Sequence, residues 1–274
     1  MKPAPFAYLR PGSLADALAA LAEAPDAKVL AGGQSLVPLL SMRLAAPGTL
    51  VDINGLPGLA DVTVTDEGVR IGALARHADV LASVDAARVQ PLVALALANV
   101  AHPTIRNRGT TVGSLVHADA AAEMPVVLRL LGGSVEVESA ARGRRTIPAD
   151  ELFLGPLESS VEHDEIATAA FFPALPSGAG VAFEEIARRH GDYALCGVAA
   201  LVDGETVRAG YLSVSDVPEV VDLSGVPEEQ WGDVALEQLD PADDIHATAD
   251  YRAHLARILT ARVVRAAYDD AEGR

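Results

Sequence analysis

The spacing of apolar and polar positions gives a first map of the chain. Residues 6–9 read as a short strand, and Pro11-Gly12 turns the chain. Leu14, Leu18 and Leu21 share one helical face, with Ser13 and Asp16 in a capping arrangement at its start. Pro25-Asp26 ends that helix. Residues 28–30 predict a strand that runs into Gly32-Gly33, and residues 36–44 a helix that tolerates Pro38 in its first turn. Residues 50–53 predict another strand, closed by Asn54-Gly55 and Pro57-Gly58. A β–α–β unit of about 55 residues therefore comes first.

Residues 62–64 and 69–71 alternate as in a hairpin, with Asp66-Glu67-Gly68 at the turn. Residues 75–83 and 88–98 carry helical patterns. Residues 101–125 are rich in small and polar side chains and read as a loop between helices. Pro125 suits the first position of the next helix, which Gly132-Gly133 stops. Residues 134–139 and 144–147 predict a strand pair, and 165–172 a further strand. Residues 173–180 read as a linker and the best domain boundary. Strands at 181–188, 195–202, 207–214 and 219–221 follow, then helices near 228–236 and 248–268. Strands first and helices after suggest an α+β layer, a sheet covered on one face.

Composition narrows the function. Half of the 274 residues are hydrophobic, mostly Ala, Val and Leu, enough for a sizeable core in one large or two modest domains. The net charge of −17 argues against nucleic-acid backbones and anionic membranes as partners. It serves solubility, or presents an acidic face to a basic protein. The one cysteine, Cys196, allows no disulfide within the chain and no iron–sulfur cluster. That fits a reducing cytoplasm, the expected location. The N-terminus lacks the apolar core of a signal peptide, and no apolar run is long enough to predict a membrane span.

Two stretches carry candidate chemistry. Lys28–Pro38, K-V-L-A-G-G-Q-S-L-V-P, runs from strand through paired glycines into a helix. Free N–H groups at such a turn, with the helix dipole, make a phosphate cradle without any lysine. From spacing alone the same turn reads more readily as only a left-handed turn and a helix cap. Ala101–Pro125 holds Gly109, Thr110, Gly113 and Ser114, then Asp119 and Glu123. The two acids read either as ligand contacts or as caps for the following helix. The seven histidines show no metal-ligand spacing, and Ser35 and Ser114 lack His–Asp partners for a nucleophile. Cys196 lies in an apolar strand and reads as inert core.

The pair A-G-G-Q-S-L-V-P and R-N-R-G-T-T-V-G-S…A-D…E-M-P resembles the flavin-binding medium subunit of molybdenum hydroxylases, the carbon monoxide and xanthine dehydrogenase type. A third block, F-E-E-I-A-R-R-H-G-D-Y-A-L over residues 183–195, resembles the same family, and all three stand in the family's order. The resemblance implies an α+β fold: a two-subdomain FAD-binding domain of the vanillyl-alcohol-oxidase-like kind over residues 1–174 (subdomains 1–57 and 58–174), then a small sheet-plus-helices domain over 178–274. It implies non-covalent FAD. The pyrophosphate would be wrapped by N–H groups of Ala31, Gly32, Gly33, Gln34, Ser35 and Leu36, with Val29 and Leu30 lining the cofactor. Gly109, Thr110, Gly113 and Ser114 would contact its other side, with Ala101, Val116, Asp119, Glu123 and Ile166 nearby. Tyr193 would lie close to the isoalloxazine ring, where an aromatic can stack or shield.

Two departures from the family pattern matter. Many relatives have adjacent glycines where this chain has Val112-Gly113, and valine disfavours positive φ, so an ordinary backbone is expected there. Some relatives have lysine where this chain has Glu184, and a glutamate cannot stabilise anionic reduced flavin or nicotinamide phosphates, which weakens the case for NAD as acceptor. The resemblance implies electron transfer within a complex: a large subunit with molybdopterin, a small subunit with two [2Fe–2S] clusters, and this chain, arranged as a dimer of heterotrimers. No general base is required on this chain. A self-contained flavoprotein oxidase or reductase, and a non-catalytic assembly subunit, are the alternatives.

Overall fold

The computed structural model describes residues 2–274. Strands β1 (Ala7–Leu9), β2 (Ala27–Leu30) and β3 (Thr49–Asp52) form a parallel sheet in the order β1-β3-β2, with helices α1 (Leu14–Glu23) and α2 (Leu36–Met42) as crossovers. The predicted cap is present: Ser13 Oγ accepts the Asp16 N–H at 3.1 Å. Ala17, Leu18 and Leu21 are the buried face of α1.

The middle of the chain is a hairpin, a run of short helices and a return to the sheet. It comprises β4 (Val62–Thr65), β5 (Gly68–Gly72), α3 (His77–Ala82), α4 (Val84–Val89), α5 (Pro91–Leu97), α6 (Pro103–Arg106), α7 (Thr111–His117) and α8 (Glu123–Leu131). Then come β6 (Ser134–Ser139), β7 (Gly143–Pro148), α9 (Ala149–Leu152), β8 (Phe153–Gly155), β9 (Glu158–Ser159) and β10 (Glu165–Pro173). The large sheet is antiparallel with order β4-β5-β10-β6-β7, so β10 inserts between two earlier hairpins. Helix α8 buries Met124, Pro125, Val126, Val127, Leu128 and Leu130, and so faces apolar neighbours almost all round.

The C-terminal part is a four-stranded antiparallel sheet in sequential order: β11 (Gly180–Ala187), β12 (Ala194–Asp203), β13 (Thr206–Leu212) and β14 (Glu219–Asp222). Helices α10 (Trp231–Leu236) and α11 (Ala249–Gly273) pack on it. The α+β expectation holds. Cys196 is fully buried in β12, and burial pushes its thiol up to about 12.

Several predicted elements change. Residues 101–125 are not one loop, for Pro103 starts α6 and Thr110 caps α7. The helix expected over 75–83 starts at His77, because the Asp79 side chain accepts the Arg76 N–H at 3.2 Å in a capping box. The helix expected over 88–98 breaks at Gln90, whose side chain caps a new helix beginning with Pro91. Helix α8 begins two residues before Pro125. The β8–β9 hairpin has no alternating apolar pattern to announce it.

Candidate functional site

Two glycine turns meet at the mouth of a cavity of about 630 Å³, within the usual size of a cofactor site. The first follows β2. Gly33 has φ +73°, which turns the chain into α2. Among the described residues, no acceptor takes the N–H of Gly32, Gly33, Gln34 or Ser35. Ser35 itself makes no side-chain cap, so the start of α2 is left open to an outside acceptor. The second turn runs from Ile105 to Gly113. Thr110 Oγ1 takes the Gly113 N–H at 3.2 Å, while Thr111 and Val112 N–H groups have no acceptor among the described residues.

The turns touch. A Cβ on Gly32 would lie 2.5 Å from the Arg108 carbonyl oxygen and 2.9 Å from Gly109 Cα, so only glycine allows this approach. One arginine ties them further. Arg76 donates to the Arg108 carbonyl at 2.7 Å and to Asn54 Oδ1 at 2.8 Å, and Asn54 Nδ2 donates to the Ala31 carbonyl at 2.7 Å. His77 backs the second turn. Its N–H donates to the Gly109 carbonyl at 3.0 Å and its Nδ1 lies 3.2 Å from Thr111 Oγ1. Burial first, then Arg106, pulls His77 down to about 4, so the ring is neutral at pH 7.

The far end of the cavity is closed by the C-terminal part. Gly191 packs against Ala101 and His102, which holds the 191–193 turn over the site. Tyr193 stands at the rim, 64% exposed. Ile166 of β10 and Val116 of α7 form apolar walls, and Asp119 and Glu123 face the same end. Glu123 is buried, and its carboxyl is pushed up to about 8 by burial first and by Glu185 next.

The cavity gathers seventeen of the eighteen predicted residues: Val29, Ala31, Gly32, Gly33, Gln34, Ser35, Leu36, Ala101, Gly109, Thr110, Gly113, Ser114, Val116, Asp119, Glu123, Ile166 and Tyr193. Leu30 is the exception. Strand alternation turns it from Val29's face, and it lines a smaller pocket behind the loop with Tyr8, Asp52 and Arg108. Gly113 and Ser114 lie within α7 rather than in a loop. Val112 is helical and buried, as its side chain requires. Glu184 lies outside the cavity and pairs with Arg262 at 2.5 Å. Among the described residues, no three His, Cys, Asp or Glu side chains gather as a metal site. Sequence reasoning missed Arg76, Asn54 and His77, which hold the turns rather than form them. The capping box at Arg76 and Asp79 was the available signal.

Residues 4–175 match the family described as "FAD binding domain in molybdopterin dehydrogenase". The chain belongs to this family. It is 42% identical over 281 residues to the 6-hydroxypseudooxynicotine dehydrogenase complex subunit alpha of Paenarthrobacter nicotinovorans, covering 96% of this chain and 95% of that protein. Among solved structures, it superposes on a carbon monoxide dehydrogenase chain from Hydrogenophaga pseudoflava with TM-score 0.92 and 32% identity, over 98% of this chain and 99% of the other. Quinoline 2-oxidoreductase from Pseudomonas putida 86 gives TM-score 0.90 and 34% identity, over 100% and 99%. This FAD-binding protein is thus of oxidoreductase type, similar along its whole length to subunits of dehydrogenase complexes. No helix among the described residues is long and apolar enough to cross a membrane.

Proposed function

We propose that this chain holds one non-covalent FAD in the cavity and passes electrons from a partner's [2Fe–2S] clusters to an outside acceptor. The observation that carries this is the meeting of two turns with unfilled N–H groups at the mouth of an otherwise largely apolar cavity. Six free N–H groups and two helix starts suit a diphosphate, and a carboxylate ligand alone would leave most of them unmet. Gly32, Gly33, Gln34, Ser35, Thr111 and Val112 would hold the phosphates, and Arg76 would fix the spacing of the turns. Val116, Ile166 and Tyr193 would bound the flavin ring. When bound, FAD supplies the change between two-electron and one-electron chemistry, and the chain supplies binding, orientation and exclusion of water.

The partners in this reading are a large molybdopterin subunit and a small iron–sulfur subunit, paired as a dimer of heterotrimers in the cytoplasm. The full-length similarity to a "complex subunit alpha" supports assembly with other chains. The similarity to a chain of a carbon monoxide dehydrogenase, an enzyme with a molybdenum cofactor, supports the molybdenum assignment. In this reading the domains divide within 174–178, and the end of the matched family region at residue 175 supports that. With one buried cysteine, this chain has no thiolate set for a cluster.

The test is flavin content. The purified chain loaded with FAD should carry one flavin, all released by acid precipitation, and should bind FMN far more weakly. Equal affinity for FMN would remove the diphosphate from the two turns.

A further inference from the structure

Glu123, at the Tyr193 end of the cavity, has no ion-pair partner among the described residues. Glu123 is the first residue of α8 and is 9% exposed. It lines the cavity, and among the described residues its carboxyl has no hydrogen-bond partner beyond its own N–H. Behind it, on β11, Glu185 has a buried Oε2 with no partner among the described residues. Asp119 lines the cavity from the turn before α8, where its Oδ1 accepts the Ala121 N–H at 2.9 Å. That turn is fixed to the C-terminal sheet, because Ser213 N–H donates to the Ala120 carbonyl at 2.8 Å.

Charge around Glu123 is one-sided. Glu185 faces it from β11 and Asp119 from its own turn, and both disfavour its ionised form. Arg106 of α6 is the cation in reach, and its guanidinium is engaged by the carbonyls of Val100 and Ala101 at 2.7 and 2.9 Å. Helix α5 brings no ionisable side chain to α8, and α7 brings His117. On β10, Glu165 is held by Arg145 at 2.8 Å. On β12, Cys196 is buried core. Glu219 and Asp150 meet α8 at its other end, where they pair with Arg129 at 3.3 and 3.9 Å. A carboxyl so placed keeps its proton at neutral pH, and burial likewise lifts Glu185 to about 7.

We propose that Glu123 is the proton-carrying residue of this cavity, giving its proton to the bound isoalloxazine as electrons arrive and regaining it from water past Asp119. The inference rests on the FAD reading. Iron–sulfur donors deliver electrons without protons, so the protons must come from elsewhere. Two electrons from two one-electron donors, with two protons, convert the oxidised ring to its dihydro form. One proton leaves Glu123: its O–H bond breaks, an N–H bond forms on the ring, and a carboxylate remains. The second proton comes from water. The carboxylate, desolvated and facing Glu185, takes a proton back and the residue is unchanged over the cycle.

The test uses the full chain loaded with FAD, as wild type, Glu123→Gln and Glu123→Asp. Time-resolved infrared difference spectra during reduction by dithionite at pH 7, with carbon-13-labelled glutamate, should show a transient loss of a carboxylic-acid C=O signal that Glu123→Gln lacks. In stopped flow, wild-type flavin reduction should slow as pH rises through about 8, where the neutral acid is lost. Glu123→Gln should reduce at least tenfold more slowly at pH 7 with no such inflection, and Glu123→Asp should restore the inflection. A wild-type rate and pH profile in flavin-loaded Glu123→Gln would overturn the proposal. So would a wild-type difference spectrum without a glutamic-acid signal, which needs no variant to fold. A wild-type chain that takes up no FAD would instead overturn the cofactor reading, and flavin absorbance tells the two failures apart.

Discussion

Gly33 allows charge and strain at the first turn to be separated. Its φ of +73° lies in the left-handed region, and a Cβ there would meet Leu30 Cδ1 at 3.1 Å and Val37 Cγ2 at 3.2 Å. Both neighbours are ends of apolar side chains that can shift a few tenths of an ångström. Asn and Asp are among the non-glycine residues best tolerated at such φ, and they have the same shape. Gly33→Asn and Gly33→Asp should therefore share a strain of about 1–2 kcal/mol. Only Asp adds a charge. A carboxylate about 6 Å from a phosphate repels it by about 3 kcal/mol at an effective dielectric of 20, and by about a quarter of that in water. An intermediate value of about 1.4–2 kcal/mol makes FAD binding to Gly33→Asp about tenfold to thirtyfold weaker than to Gly33→Asn. The assay is quenching of flavin fluorescence on titration with apoprotein. Salt at about 0.5 M should narrow the gap, because screening shortens the reach of exposed charges. Equal affinities of two folded variants at low salt would take the diphosphate away from this turn.

Gly32→Ala should cost about 1–3 kcal/mol of FAD affinity, because the added methyl pushes the Arg108–Gly109 backbone away and spreads the turns; calorimetric titration with FAD reads this directly. Tyr193→Ala should leave the melting temperature unchanged, since the ring is 64% exposed, yet slow the reoxidation of reduced flavin by acceptor in stopped flow. His77 is held neutral in the folded chain, with its value lowered to about 4, while the unfolded chain protonates near 6.5. Its contribution is therefore present above pH 6.5 and lost as pH falls towards 4, by up to about 3 kcal/mol. Urea midpoints measured across that window should fall, and His77→Gln should flatten the slope.

Local signals in the sequence were reliable where one residue type does one job. Ser13 with Asp16 marked the first helix, Gly32-Gly33 marked the turn into the second, and alternation marked the β4–β5 hairpin. The central stretch was harder. Its helices are four and seven residues long, shorter than a periodic pattern needs, and Gly113 inside α7 reads as a loop residue. Sheet order was also hidden, because β10 enters between β5 and β6 from far along the chain. Of the site, the glycines and acids were legible through the family pattern, whereas the Arg76–Asn54 tie depends on a fold that brings distant turns together. Leu30 shows the limit of reading a strand as a block: its neighbour faces the cavity and it does not.

The central claim is that this chain's flavin is fed by partners and not by a substrate of its own. The most direct measurement is anaerobic bleaching of the FAD-loaded chain by candidate purines, N-heterocycles, aldehydes and carbon monoxide, alone and then with the cognate large and small subunits. The chain alone should bleach with dithionite but with none of these substrates. The reconstituted complex should bleach with its own substrate. Rapid bleaching of the isolated chain by an organic substrate would contradict the account and make it a self-contained oxidase or reductase.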